Sequence, residues 1–388
     1  MPNIVSTKDL LKNREYHSKP SSEFIINERG KVRPITGLQM SDRVIRHSLC
    51  DNVLSPSLID YLIYDNGASL KGKGIDFSRK RFEEHLHKYY RMYGNDGYIL
   101  LMDYSKFYDN IPHDIAYREI AKHVNDEFSL WLLQQIFDNF KIDVSYMNDE
   151  EFSNCMNVPF NSTEYRLKIP KSAHTGEKYM RKSVNIGDQC SQIIGIFYPT
   201  PVDNFVKIVK SQKFYGRYMD DSYVIHRDRE FLVQLEIEIA EKAKELGMTL
   251  NRKKTRIVKL SDYYKFLQIT YSLTDTGRVI RKINPRRIVD MRRKLKKLSL
   301  KVIRGERTQE EVENMFRAWM GGHAHLMSKI QRDNLNLLYF DLFGGFIDGK
   351  YYLQYYPRRQ NRDSRHNEWK QLYNRRCGLI WNFCLMTI

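Results

Sequence analysis

Along the chain, short apolar blocks alternate with polar stretches, and their periods predict a mixture of strands and helices. Phe214-Tyr215-Gly216-Arg217-Tyr218 and Tyr223-Val224-Ile225 are rich in aromatic and β-branched residues, so each favours a strand. Asp220-Asp221 between them marks a hairpin turn. A second apolar run, Leu100-Leu101-Met102, leads directly into Asp103. Farther on, Ile288, Met291, Leu295, Leu298 and Val302 recur at helical spacing, which predicts an amphipathic helix over 286–304.

Charge sharpens that last prediction. The 388 residues carry 64 Lys+Arg against 47 Asp+Glu, a formal net charge of +17, as expected of a chain that meets phosphate backbones. Net charge alone also fits a membrane surface. In 286–304 the polar face holds Arg286, Arg287, Arg292, Arg293, Lys294, Lys296, Lys297, Lys301 and Arg304 against Asp290. Taken by itself, such a helix suits nucleic acid, a lipid surface or a calmodulin-type partner.

The candidate chemistry lies in the aspartates. Joining a 3′-hydroxyl to a nucleoside triphosphate calls for two Mg²⁺ ions roughly 3.5–4 Å apart. Mg²⁺ is commonly held by one or two carboxylates together with substrate phosphates, so Asp103, Asp220 and Asp221 suffice as ligands. Adjacent strand residues point to opposite faces, so Asp220 and Asp221 reach one metal only where the turn breaks the alternation. Asp220 is the firmer ligand on that ground. An isolated Asp-Asp pair is usually a solvated turn, and agreement with other segments is what gives this pair meaning.

Those segments run in order. Lys31-Val32-Arg33-Pro34-Ile35 comes first, followed by a helix in 42–49 and by Asn66-Gly67-Ala68-Ser69. Asp103-Tyr104-Ser105-Lys106-Phe107-Tyr108, Ile186-Gly187-Asp188-Gln189-Cys190-Ser191-Gln192 and Tyr218-Met219-Asp220-Asp221 follow. Leu250-Asn251-Arg252-Lys253-Lys254-Thr255 and Phe266-Leu267-Gln268-Ile269 close the series. Over 31–338 this succession resembles the reverse transcriptase family. The resemblance implies an α+β right-hand polymerase, with an N-terminal extension over 1–30, fingers over 31–102 and a palm over 103–272 interrupted by a polar insertion near 148–183. A thumb over 273–345 and a basic, aromatic tail over 346–388 complete it.

The resemblance also assigns roles. It makes Asp103, Asp220 and Asp221 the metal ligands and Lys254 the acid that protonates departing pyrophosphate. Lys31 and Arg33 would hold the triphosphate, Arg as a bidentate donor and Lys as a point charge. Tyr108 would lie under the sugar and exclude a 2′-hydroxyl, Gly187 would admit the nucleotide to the backbone, and Gln192 would close the block. Without the resemblance, Tyr108 fits a core aromatic equally well, and the basic residues fit solvated charges. Arg286, Arg287, Arg292, Arg293, Lys296 and Lys297 become the thumb's phosphate contacts. The cofactor implied is Mg²⁺ as two ions, with Mn²⁺ as a substitute.

Two departures from the family pattern narrow the setting. Ser191-Gln192 stands where many members have Ser-Pro, and Gln268 replaces the glycine of the last block, which calls the primer-gripping turn into question. Ser191-Gln192 and the later Trp319-Met320-Gly321-Gly322-His323 resemble the branch of diversity-generating retroelements, with defence-associated bacterial enzymes as the alternative. Either implies an RNA template, a DNA primer or product, deoxynucleotides and a structured noncoding RNA, together with an accessory protein or a homo-oligomer. A catalytically silent nucleic-acid scaffold would not need all three aspartates, and an RNA replicase would have to admit a 2′-hydroxyl beside Tyr108.

The remaining features exclude more than they assign. His323 and His325 lack the companion ligands of a zinc site. Five cysteines without Cys-x-x-Cys spacing read as reduced thiols. With neither a signal-peptide start nor an apolar run of membrane-spanning length, a cytoplasmic protein with no membrane partner is expected. No ribonuclease H domain is expected in the short stretch beyond Gly345, and its aromatics, Tyr351 to Trp381, fit either single-strand stacking or packing.

Overall fold

The structure is a computed structural model that describes residues 2–28, 30–157, 159–163 and 169–344. The 346–388 tail therefore lies outside the described residues. The chain divides into two compact units, Met1–Ile280 and Arg281–Ile388.

Eleven strands occur among the described residues: β1 Ser22–Glu28, β2 Lys31–Gly37, β3 Tyr98–Met102, β4 Ile142–Asp143, β5 Tyr179–Met180, β6 Tyr215–Tyr218, β7 Asp221–His226, β8 Arg256–Lys259, β9 Tyr264–Phe266, β10 Ile269–Leu273 and β11 Val279–Ile283. β11 carries the chain across the boundary between the units. The first unit is built on a four-stranded antiparallel sheet in the order β6-β7-β3-β8.

Both faces of this sheet are covered, which explains the unbroken apolar run in β3. Leu100, Met102 and Val224 join a core with Leu232, Leu235 and Ile239 of the helix Arg229–Glu245. Tyr223 turns to the other face, where the ring of Phe82 from the helix Ile75–Tyr93 meets Tyr223, Phe266 and Tyr271 at centroid distances of 4.7, 4.9 and 4.9 Å. Aromatic pairs in edge-to-face and tilted arrangements favour these separations.

The hairpin turn falls one residue earlier than the sequence predicts. Tyr218 pairs with Asp221, so the loop is Met219-Asp220 and Asp221 already belongs to β7. Met219 takes a φ of +54°, the left-handed start of the primed turns that suit two-residue hairpins. Asp220 thus sits in the turn, released from strand alternation.

A buried ion pair fastens this hairpin from beneath. Arg217 and Asp203 both have fully buried side chains. Arg217 Nε donates to both Asp203 oxygens at 2.9 Å, and Nη2 donates to Oδ2 at 2.7 Å. Two further guanidinium N–H groups reach backbone carbonyls, Nη2 to Ile196 at 2.7 Å and Nη1 to Met219 at 3.1 Å. Tyr215 Oη also donates to Asp203, at 2.5 Å.

The last turn tolerates its missing glycine. Leu267 and Gln268 both adopt positive φ, +42° and +71°, and Phe266 pairs with Ile269 around them. Positive φ at both loop residues defines a type I′ turn, strained here because neither residue is glycine. Arg79 holds it in place, donating from Nε and Nη2 to Leu267 O at 3.3 and 2.9 Å.

The second unit contains the helices Pro285–Ile303, Gln309–His323 and Lys329–Phe343. Asn284, Thr308 and Ser328 each accept a hydrogen bond at a helix start, the last two in capping boxes with Glu311 and Gln331. Met291 and Leu295 of the expected stripe are buried, while Arg286, Arg292, Arg293, Lys296 and Lys297 are exposed. Arg287 differs, since its Nη1 meets His323 Nε2 at 2.7 Å. His323 Nδ1 is 2.8 Å from Trp319 O, so both of its ring nitrogens have partners.

Removing one member of a buried ion pair strands the other charge, a loss of about 3–5 kcal/mol. Arg217→Met is therefore expected to lower the urea midpoint by that equivalent at an unchanged m-value. A midpoint within error of the parent would show that the pair is not needed for folding.

Candidate active site

A cavity of about 750 Å³ opens beside the hairpin, and several of the residues singled out by sequence line it. Asp103, Tyr108, Asp220, Lys254 and Arg33 all contribute to its wall. Asp103 follows the last residue of β3, where Met102 pairs with Ser222, so one further step in register sets it opposite Asp221. Side chains opposite one another on antiparallel strands have Cβ atoms roughly 4.5–5.5 Å apart.

Asp103 is held firmly. Lys254 Nζ donates to its Oδ2 at 2.7 Å and Asn251 Nδ2 to its Oδ1 at 3.3 Å, while Asn251 N reaches its carbonyl at 2.7 Å. Asn251 therefore acts on the first aspartate directly, a role its place beside Lys254 in the sequence did not reveal. Asp221 lies outside the cavity wall but within the field of the other two carboxylates. Burial, then the charges of Asp220 and Asp103, push its carboxyl up to about 7, against the opposing pull of Lys254 and Lys265.

A carboxylate so destabilised by burial and by like charges is a natural place for a cation. Among the described residues no three His, Cys, Asp or Glu side chains close around a common metal position. Mg²⁺ relies on substrate phosphates and water for much of its shell, so one or two of these carboxylates would suffice to hold it.

Tyr108 stands within the cavity as a half-buried ring. Its hydroxyl is 3.6 Å from Met219 Sδ and is pushed up to about 12 by burial and by the Asp220 charge. Gly195 lies beneath it: a Cβ there would come within 2.9 Å of the Tyr108 hydroxyl, so the ring occupies space that only glycine leaves open.

Two other predicted residues do not line the cavity. Gln192 is exposed on the helix Gln189–Phe197 and Gly187 is not in the wall. The close approach made by Gly187, at φ +109°, is to Thr36 O, 3.1 Å from where a Cβ would stand, which fits its backbone to β2. Lys31 begins β2, two residues before Arg33. Arg46 and Asp188 form a buried pair at the start of the Gln189–Phe197 helix, and Asp188 also caps it through Cys190 N at 3.0 Å.

The polar stretch 148–183 is more than a surface appendage. Cys155, Phe160 and Met180 join Ile142, Val144 and Met147 in a small core of their own. Its residues 159, 161–163 and 183 form part of the cavity wall, as do 184–186 beyond it. Asn110 clasps this segment, donating from Nδ2 to Phe160 O at 3.1 Å and accepting Phe160 N at 2.8 Å. Asp109 accepts Ser162 Oγ at 2.5 Å. The insertion is thereby stitched to the two residues after Tyr108.

Comparison with known proteins follows the geometry. The family described as "Reverse transcriptase (RNA-dependent DNA polymerase)" matches residues 18–271, and the chain belongs to that family. No curated protein matches it. Among solved structures it is similar to telomerase from Candida albicans bound to a TWJ fragment of telomeric RNA, at 14% identity, a TM-score of 0.42, and coverage of 70% of this chain and 46% of that one. Apo telomerase from Candida tropicalis shows 14% identity, a TM-score of 0.41 and coverage of 72% and 53%. The chain thus spans about half the length of each. No helix among the described residues is long and apolar enough to cross a membrane.

His113 gives the wall a pH limit. Its ring meets Ser183 O at 2.6 Å, and burial lowers it from its ordinary value of 6.5 to about 4. With the folded value depressed, the unfolded chain binds the proton first, so stability is full above about pH 6.5 and is lost as pH falls towards 4. The slope from this residue should approach about 1.4 kcal/mol per pH unit. Melting of the parent and His113→Asn at pH 7 and 5 should show the larger fall in the parent, and parallel falls would contradict the assignment.

Proposed function

We propose that the chain synthesises DNA on an RNA template from deoxynucleoside triphosphates. The observation that carries this reading is the convergence of Asp103, Asp220 and Lys254 with Arg33 and Tyr108 around one cavity in a member of the reverse transcriptase family.

Asp103, Asp220 and Asp221 would hold two Mg²⁺ ions, or Mn²⁺ in their place, which when bound activate the 3′-hydroxyl and stabilise the leaving pyrophosphate. Arg33 grips the triphosphate through its planar fork, and Lys31 adds a point charge nearby. Lys254, already 2.7 Å from Asp103 Oδ2, delivers a proton to the departing pyrophosphate. Tyr108 fills the space beneath the sugar and rejects a 2′-hydroxyl. Gly187 acts at one remove, by seating the 186–188 turn on β2. The 31–102, 103–272 and 273–345 segments serve as fingers, palm and thumb, with the exposed cations of Pro285–Ile303 on the template–primer backbone. The setting we favour is a bacterial or phage diversity-generating retroelement with a dedicated structured RNA, on the strength of Ser191-Gln192 and the Trp319–His323 stretch.

Primer extension tests the chemistry. Asp103→Asn and Asp220→Asn are each expected to cut extension by on the order of 10³-fold or more while RNA binding persists, since each deletes a charge worth several kcal/mol at the reacting phosphate. Extension by either variant near the parental rate would remove the carboxylates from the mechanism.

Tyr108→Ala is expected to raise ribonucleotide incorporation relative to deoxynucleotide. An unchanged ratio in competition assays would return Tyr108 to an ordinary packing role.

A further inference from the structure

The first unit contains a second cavity of about 470 Å³ that shares no residue with the first. Its wall is dominated by positive charge from separate segments. Arg81, Lys88 and Arg91 project from the helix Ile75–Tyr93, Lys207 from the π-helical turn Phe205–Val209, and Lys213 from the residues leading into β6.

Asp65 supplies the carboxylate in this wall, and it is already satisfied. Arg81 Nε meets its Oδ1 at 2.7 Å and Lys207 Nζ its Oδ2 at 3.2 Å. Arg81 has Glu84 as a further partner. Lys88, Arg91 and Lys213 form no ion pair among the described residues, and all three are exposed to solvent at the rim. Three cations facing one concavity repel each other, and an anion seated among them removes that repulsion.

The remaining wall narrows the chemistry. Phe214 and Met92 add apolar surface beside the cations. A volume of 470 Å³ falls in the range of small-molecule sites, and it exceeds what a lone phosphate fills. Arg91 suits a two-oxygen contact with a phosphate and the lysines suit its remaining charge.

We infer that this second cavity is a nucleotide-phosphate site, separate from the site of synthesis, in which Lys88, Arg91 and Lys213 bind the phosphates and Met92 and Phe214 flank the attached ring or sugar. The phosphate belongs either to a free nucleotide or to a nucleotide of a bound RNA strand.

Titration of the full chain in EDTA separates this site from any magnesium-dependent binding at the aspartates. The probes are a fluorescent ADP, inorganic pyrophosphate as its competitor, and a labelled ten-nucleotide single-stranded RNA. Lys88→Gln, Arg91→Gln and Lys213→Gln together delete the three charges. In that variant affinity for the fluorescent ADP, for the RNA, or for both is expected to fall at least about tenfold, the loss of roughly one charge-assisted contact or more. Primer extension at saturating substrate should stay at the parental rate. Loss confined to the RNA identifies the strand as the source of the phosphate, and loss of ADP binding identifies the free nucleotide. Pyrophosphate should also shield Lys88 and Lys213 of the unaltered chain from labelling by pyridoxal phosphate, a measurement that needs no variant. Equal affinities for both probes in parent and variant, or labelling unaffected by pyrophosphate, would overturn the inference.

Discussion

The turn that carries Asp220 depends on a charge pair that never meets water. Arg217 spends three hydrogen bonds on Asp203 and two on the carbonyls of Ile196 and Met219, so one guanidinium fixes a neighbouring helix and the hairpin loop together. Such a pair is costly to desolvate and earns its place through geometry more than through net stability. Its planar fork matters, because a lysine offers neither the bidentate contact nor the fixed directions. Arg217 N also donates to Asp65 O at 3.1 Å, which ties the hairpin's first strand to the segment that walls the second cavity.

Around this anchor the cavity is assembled from distant parts of the chain. β3 and β7 set Asp103 and Asp221 side by side by register alone, and Asn251 and Lys254 return from beyond the Arg229–Glu245 helix to hold Asp103. The insertion closes another side through Asn110 and Asp109. Tyr108 is consequently held between Gly195 below it and a clasp directly after it, an arrangement that limits how far its ring can move.

The elements with a strong local signal were readable before the fold. The basic helix follows from its apolar stripe, and the hairpin from two aromatic, β-branched runs. The turn was misplaced by one residue because composition marks Asp-Asp as the loop, whereas Met219 at positive φ takes the first loop position once Tyr218 pairs with Asp221. Gln268 argued against a tight turn, yet Arg79 clamps the carbonyl of Leu267 from a helix far away in sequence. Arg217, Asp203, Arg46 and Asp188 carry no sequence mark of burial, since a charged residue ordinarily indicates a surface. The insertion looked peripheral because its polarity was visible and its contacts with Asn110 and Asp109 were not. Only partnership across the fold distinguishes these residues, and partnership is what a local pattern cannot encode.

Arg217→Lys is the substitution that bears most directly on the link between the buried pair and the chemistry, because it keeps the charge and removes the fork. The measurement is single-turnover incorporation of one deoxynucleotide into a DNA primer annealed to RNA, made on protein that circular dichroism shows to be folded. The expected result is incorporation slowed by on the order of tenfold or more, as Met219 and Asp220 lose their fixed position relative to Asp103. Incorporation at the parental rate in the folded variant would contradict the dependence of the proposed chemistry at the Asp220 turn on the Arg217–Asp203 pair.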